Sequence, residues 1–126
     1  QARDEAAIIA YEEAVQQKEA LFQEKVESIR RKIAEKKADK IREEIMANLE
    51  KLLVEAEKRG FNLCHENEAK IYGESPDKCL DLLQAFGGEL KCVFDMGNFV
   101  LDGHDPVSAY PLLKNYIEYF HIKDVI

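Results

Sequence analysis

The sequence predicts an α/β fold in which parallel strands alternate with helices. Three observations carry this reading. Runs with strand character recur at Phe61-Asn62-Leu63-Cys64-His65-Glu66, Leu90-Lys91-Cys92-Val93-Phe94-Asp95 and Ile117-Glu118-Tyr119-Phe120-His121-Ile122. The stretches between them carry helix-start signals, Ser75-Pro76-Asp77 and Asp105-Pro106. Glu66, Asp95 and His121 stand at the C-terminal ends of the three runs, 29 and 26 residues apart. Each interval is about one strand-plus-helix unit, the pattern of consecutive βα units in a parallel sheet or barrel. In such folds chemistry gathers at the C-terminal ends of strands.

Taken in order, the chain begins with a long helical stretch. Residues 1–59 contain neither Gly nor Pro. Ile8, Tyr11, Val15, Phe22, Val26, Ile29, Ile33, Ile41, Ile45, Leu49, Leu52 and Ala56 recur mostly at steps of three, four or seven, which is helical spacing. Residues 22–33 step as a coiled-coil seam does. Apolar residues thin out over 35–39, and Asp39 is able to cap a new helix. The expectation is one helix over about 3–36 and a second over about 39–59, or the two fused. Gly60 is the stop signal after Lys58-Arg59. Residues 67–74 read as a polar loop before a helix that Gly87-Gly88 ends, with Ser75 as its cap. Residues 96–104 read as a second loop. Pro111 is awkward inside a helix that begins at Pro106, so a bend or irregular turn is expected there.

Composition narrows the function. A chain of 126 residues allows one ordinary domain. The net charge of −7 disfavours nucleic acid and anionic membrane surfaces as partners. Residues 1–60 are nearly balanced at −1, and residues 61–126 hold the remaining −6. Acidity is therefore concentrated where the candidate site lies, which suits a cation site, although an acidic solvated surface is the more common source of such a bias. Cys64, Cys79 and Cys92 show no CxxC spacing and read as reduced thiols of a cytoplasmic protein. No apolar run approaches a membrane span of roughly 20 residues. A start at Gln1 rather than Met suggests a piece of something longer.

Strand alternation sorts the side chains. If Glu66, Asp95 and His121 point to one face, then Asn62, Cys64, Val93, Tyr119 and Lys123 share it. Leu63, His65, Cys92 and Phe94 then point to the covering helices. That second set is largely apolar, as helix-covered strands require. His65 is the exception and reads as a histidine hydrogen-bonded beneath a helix. Two carboxylates and an imidazole suit a divalent metal. Asn98 and Lys123 lie near enough in sequence to bind substrate hydroxyl or phosphate groups.

The segments Cys64-His65-Glu66-Asn67-Glu68, Val93-Phe94-Asp95-Met96-Gly97-Asn98-Phe99 and Tyr119-Phe120-His121-Ile122-Lys123-Asp124 resemble the xylose isomerase-like TIM-barrel superfamily, its sugar phosphate isomerase/epimerase group above all. The resemblance covers about residues 40–126 and implies a partial (β/α)8 barrel, strands 5 to 7 with their helices. It implies that Glu66 binds metal and exchanges a proton with substrate, and that Asp95 and His121 are metal ligands. It implies a divalent cofactor, manganese, cobalt, zinc or magnesium, and a sugar or sugar-phosphate substrate turned over through a metal-stabilised enediolate. Asn98 stands where several epimerases carry a substrate-contacting histidine. The resemblance does not reach the first helical stretch, so the chain divides as a helical, coiled-coil-like segment over 1–38 and a partial barrel over 39–126. Without a fourth ligand from strand 8, the chain alone is expected to be catalytically inert.

A second reading takes the helical stretch as the working part: an assembly module, self-associating through residues 1–59, that carries a non-catalytic α/β remnant. An endonuclease, also found in the superfamily, fits less well, because the chain is acidic and lacks a basic stripe.

Overall fold

A computed structural model describes residues 2–124. It contains a long helix α1 (Ala2–Arg59), strand β1 (Cys64–Glu66), a 3-10 turn (Tyr72–Glu74), helix α2 (Pro76–Ala85), strand β2 (Lys91–Asp95), helices α3 (Met96–Leu101) and α4 (Pro106–Leu113), and strand β3 (Ile117–His121). The chain divides into two compact units, residues 1–41 and 42–126. In the first, every described residue belongs to α1. No helix break occurs at residues 35–39, so the fused alternative holds. With no Gly or Pro to interrupt it, an Asp able to cap is not enough to stop a propagating helix.

In the second unit the three strands form one parallel sheet in the order β1-β2-β3. With its intervening helices it is a partial α/β barrel. Glu66 pairs with Val93 in register, and Asp95 pairs with His121. The β2–β3 ladder slips between Cys92 and Val93, whose partners are Ile117 and Tyr119. Glu118 is therefore the extra residue, and the bulge keeps Tyr119 and His121 on the face of Val93 and Asp95.

The helix-covered face of the sheet holds the core. Cys92, Phe94 and Leu90 pack with Cys79, Leu82 and Leu83 of α2, with Phe99, and with Ala109 and Leu113 of α4. The C-terminal part of α1 adds Ile45, Met46, Leu49 and Leu53. Leu52, one of the apolar residues at helical spacing, is exposed, and Leu53 packs instead. Arg42 anchors the same stretch of α1 by a bidentate pair with Asp81 of α2 at 2.7 and 2.8 Å, and Tyr72 Oη donates to the same carboxylate at 2.9 Å.

The hydrogen bonds from Arg42 hold the Asp81 carboxyl below its usual range, against the upward push of burial. A depressed folded-state pKa means that the pair stabilises fully above the unfolded value, about 3.9, and loses its effect as pH falls through the lower folded value. Asp81→Asn is therefore expected to lower the melting temperature by a few degrees at neutral pH, and by progressively less as pH falls below about 3.9 and through the lower folded value. Melting curves of both proteins across that range check it. A difference that persists unchanged in acid would show that the carboxylate charge is not what ties α1 to α2.

Several local expectations are corrected. Ser75 sits at the N-cap of α2 but makes no side-chain capping bond. Residues 96–101, expected to be loop, form α3, capped by Asp95. Pro111 lies inside α4 without interrupting it. The backbone bond that Pro111 cannot donate would go to the Val107 carbonyl, and both residues are exposed, so the group is not one that burial penalises. Asp105 offsets the loss by accepting from Val107 N and Ser108 N at 3.1 and 3.0 Å.

His65 lies beneath α2, where its Nε2 donates to the Gly73 carbonyl at 3.0 Å. Burial lowers its pKa, an effect the bond to Gly73 only partly offsets. Gly73 is buried, and a Cβ there would meet the His65 ring and Leu82. Gly73→Ala is therefore expected to cost about 1–3 kcal/mol, read from urea denaturation midpoints. An unchanged midpoint would mean that His65 turns away freely.

Candidate metal centre

Each strand delivers one group to the C-terminal end of the sheet. Glu66 ends β1 and is half-buried, Asp95 ends β2 and is buried, and His121 ends β3 and is half-exposed. The three present ligand atoms within 4.8 Å of one another. His121 Nδ1 lies 2.7 Å from Glu66 Oε1 and 3.7 Å from Asp95 Oδ2. A carboxylate only accepts, so the ring donates in the shorter contact and Nδ1 carries a proton.

The donor set fits a divalent cation. Such ions hold nitrogen and oxygen at about 2.0–2.2 Å, so donors around one ion stand up to about 4.4 Å apart. Closing 4.8 Å to that span takes a few tenths of an ångström. Two carboxylates supply the charge, and the imidazole suits manganese, cobalt or zinc.

Asp95 is held from several sides. Its N–H donates to Asn67 Oδ1 at 2.9 Å, and its carbonyl accepts from Asn67 Nδ2 at 2.9 Å. Its Oδ1 accepts from Asn98 N at 2.8 Å, which caps α3. Its Oδ2 faces His121 and the Lys123 ammonium, the latter at 3.1 Å. Burial pushes the carboxyl pKa up, but the Asn98 N–H, Lys123 and Glu66 outweigh it, so Asp95 lies below the usual carboxylate range.

Asn98 is buried, and its side chain is engaged on both ends. Nδ2 donates to the Asn67 carbonyl at 2.7 Å and to Glu68 Oε2 at 3.4 Å, and Oδ1 accepts from Lys123 Nζ at 2.5 Å. The half-exposed Lys123 thus bridges Asn98 and Asp95. Its stem lies against Gly97, where any Cβ would meet it. Asn67 is the residue that sequence reasoning missed. The available signal was its place directly after Glu66, where a buried amide is able to bind the end of the neighbouring strand.

A groove of about 950 Å³ opens at the other end of the strands, lined by Met46, Leu53, Phe61, Phe86 and Gly88 among others. It holds none of the three ligand-type residues. Burial raises the Cys79 and Cys92 thiols to about 12, with neighbouring thiols contributing, so neither is a nucleophile at neutral pH.

A parallel sheet with helices between its strands, and polar groups gathered at the strands' C-terminal ends, defines the class: an α/β barrel scaffold, of which the described residues show three strands. The chain belongs to the xylose isomerase-like TIM-barrel family, whose model matches residues 7–126. The match takes in α1 from residue 7 onward, a stretch that the motifs had left outside the resemblance. No curated protein and no solved structure matches the chain. Among the described residues, no helix is long and apolar enough to cross a membrane.

Proposed function

We propose that this chain carries metal-binding and proton-transfer groups of a sugar or sugar-phosphate isomerase or epimerase. The observation that supports it most is the convergence of Glu66, Asp95 and His121 within 4.8 Å at the strand ends, in a chain of this family. These three residues would hold one divalent cation, manganese, cobalt, zinc or magnesium. When bound, the ion acts as a Lewis acid on substrate oxygens.

The chain's own groups then divide the work. Glu66 is the more exposed carboxylate, at 34% against 2% for Asp95. It is the one placed to take a proton from substrate beside a carbonyl and return it. Asp95 is locked by Asn67 and Asn98 and keeps its charge, which suits a ligand rather than a proton carrier. Lys123 stands half-exposed at the rim as a cation for substrate hydroxyl or phosphate oxygens, with Asn98 holding it in place. Three free cysteines suit a reducing compartment such as the cytoplasm.

The test is calorimetric titration of the full chain with manganese or cobalt, with and without an open-chain polyol as substrate mimic. One ion per chain is expected, bound more tightly with the polyol present and at least tenfold more weakly by Glu66→Gln. Binding unaffected by Glu66→Gln would remove the site from these residues.

One observation favours a second role. Within residues 1–38, the described part from Ala2 on is helix with large apolar side chains standing in water, Tyr11 at 72% and Phe22 and Ile33 each at 62% exposure. Such a stripe is costly unless covered. We therefore propose that this segment is an assembly module, joined to the partial barrel of residues 39–126.

A further inference from the structure

We propose that residues 5–37 of two copies of this chain pair as antiparallel helices with Phe22 at the midpoint. This rests on the assembly reading and adds the partner, the direction and the register. Successive helical residues turn by about 100°. On that wheel Ile8, Tyr11, Val15, Phe22, Ile29 and Ile33 fall within about 60° of one another, and all six are exposed. The stripe is nearly its own mirror about Phe22. Reversed, it sets Tyr11 opposite the partner's Ile33, Val15 opposite the partner's Ile29, and Phe22 opposite the partner's Phe22.

Charge selects the direction. Residues 2–24 hold six acidic and two basic side chains, and residues 25–41 hold three and seven. Antiparallel pairing lays the negative half of each helix on the positive half of the other, and it opposes the two helix dipoles favourably. The borders agree. Glu5, Glu12, Glu19, Arg30 and Lys37 line one edge of the stripe. In an antiparallel pair that edge meets its own copy, so Glu12 stands near the partner's Arg30 and Glu5 near the partner's Lys37. With both copies counted, that is four attractive contacts. Arg30 now pairs with Glu27 on the same exposed helix face at 2.7 Å, a contact able to be shared. On the other edge Ala7 and Ala14 face the partner's Lys36 and Lys32, and Lys18 meets the partner's Lys25, a like-charge contact made twice. A parallel pair would instead set Lys25 beside the partner's Arg30 and Lys32 beside the partner's Lys37, four like-charge contacts.

The test uses the full chain in sedimentation velocity from about 1 to 100 μM at low salt, where surface charges are least screened. A dimer is expected, loosened by high salt. Arg30→Glu with Lys37→Glu makes the border wholly acidic. Glu5→Lys with Glu12→Lys makes it basic apart from Glu19. Each double variant alone is expected to dimerise about tenfold more weakly or worse, and an equimolar mixture to recover parental affinity. Recovery on mixing also shows that both variants remain folded.

Direction is read by dipolar spectroscopy on Ala7→Cys spin-labelled in a Cys64→Ser background, Cys79 and Cys92 being buried. Antiparallel pairing places the two labels about 45 Å apart, thirty residues of helical rise. Parallel pairing brings them within about 20 Å, two adjoining helices. A monomer at 100 μM overturns both this proposal and the assembly reading. A dimer with the short distance, or one that both charge variants form as tightly as the parent, overturns this pairing and leaves the assembly reading standing.

Discussion

Asp95→Asn is expected to weaken binding of a divalent cation about 100-fold or more, with a smaller loss of fold stability as the charged contact to Lys123 goes. The expectation follows from the two jobs of one carboxylate. Its Oδ1 accepts the Asn98 N–H at the start of α3, and an amide oxygen accepts that bond equally well. Its Oδ2 faces His121 and Lys123, and there the charge matters. The buried backbone bonds to Asn67 are untouched by the change. Asp95→Ala removes both jobs and should cost about 1 kcal/mol more through the lost cap. Calorimetric titration with manganese, paired with urea denaturation of each variant, separates the effects. Asp95→Asn binding as tightly as the parent would move the cation to other residues. Asp95→Asn unfolding as readily as Asp95→Ala would show that the charge, not the cap, holds α3.

Phe94→Ala is expected to destabilise the second unit by about 3–5 kcal/mol. Phe94 is 1% exposed on the helix-covered face of the central strand. Its ring meets Phe99 at 5.2 Å, Phe120 at 5.7 Å and Tyr110 at 6.3 Å, all edge-on. It therefore joins β2, α3, α4 and β3, and no neighbour collapses into the space without leaving the others. A small domain has only about 5–15 kcal/mol in total, so the loss should lower the melting temperature by on the order of 15 °C or more. Differential scanning calorimetry reads it. A drop of only a few degrees would mean that the four elements repack around the cavity. Because Asp95 follows Phe94 on the same strand, metal affinity should fall with stability, whereas Asp95→Asn should lower affinity far more than stability.

Much of the fold was legible because its signals are local. Gly60 after Lys58-Arg59 ends α1, and its φ of 72° is one that Gly adopts freely. Pro76 and Asp105-Pro106 start their helices where expected. Alternation along β2 sorted Phe94 and Cys92 to the core and Val93 and Asp95 to the other face, since a strand has only two faces. The gathering of Glu66, Asp95 and His121 followed from the same rule together with strand direction.

Other features were decided only by the tertiary structure. Residues 96–101 are too few for a helical period to show, and what makes them α3 is a cap from Asp95 in a packed strand end. Leu53 rather than Leu52 enters the core because Ile45, Met46, Leu49 and Ala56 centre the packed face of α1 where Leu53 lies, and at about 100° per residue Leu52 falls at its border. The Asn67 clamp on Asp95 joins residues 28 apart, and the Lys123–Asn98 contact joins residues 25 apart. Composition and spacing along the chain do not fix such pairs, because hydrogen bonds at that separation exist only once strand register is set. The sequence alone thus determined that Glu66, Asp95 and His121 end three strands at one end of the sheet; register and packing decided that Asn67, Asn98 and Lys123 hold Asp95 and where its charge points.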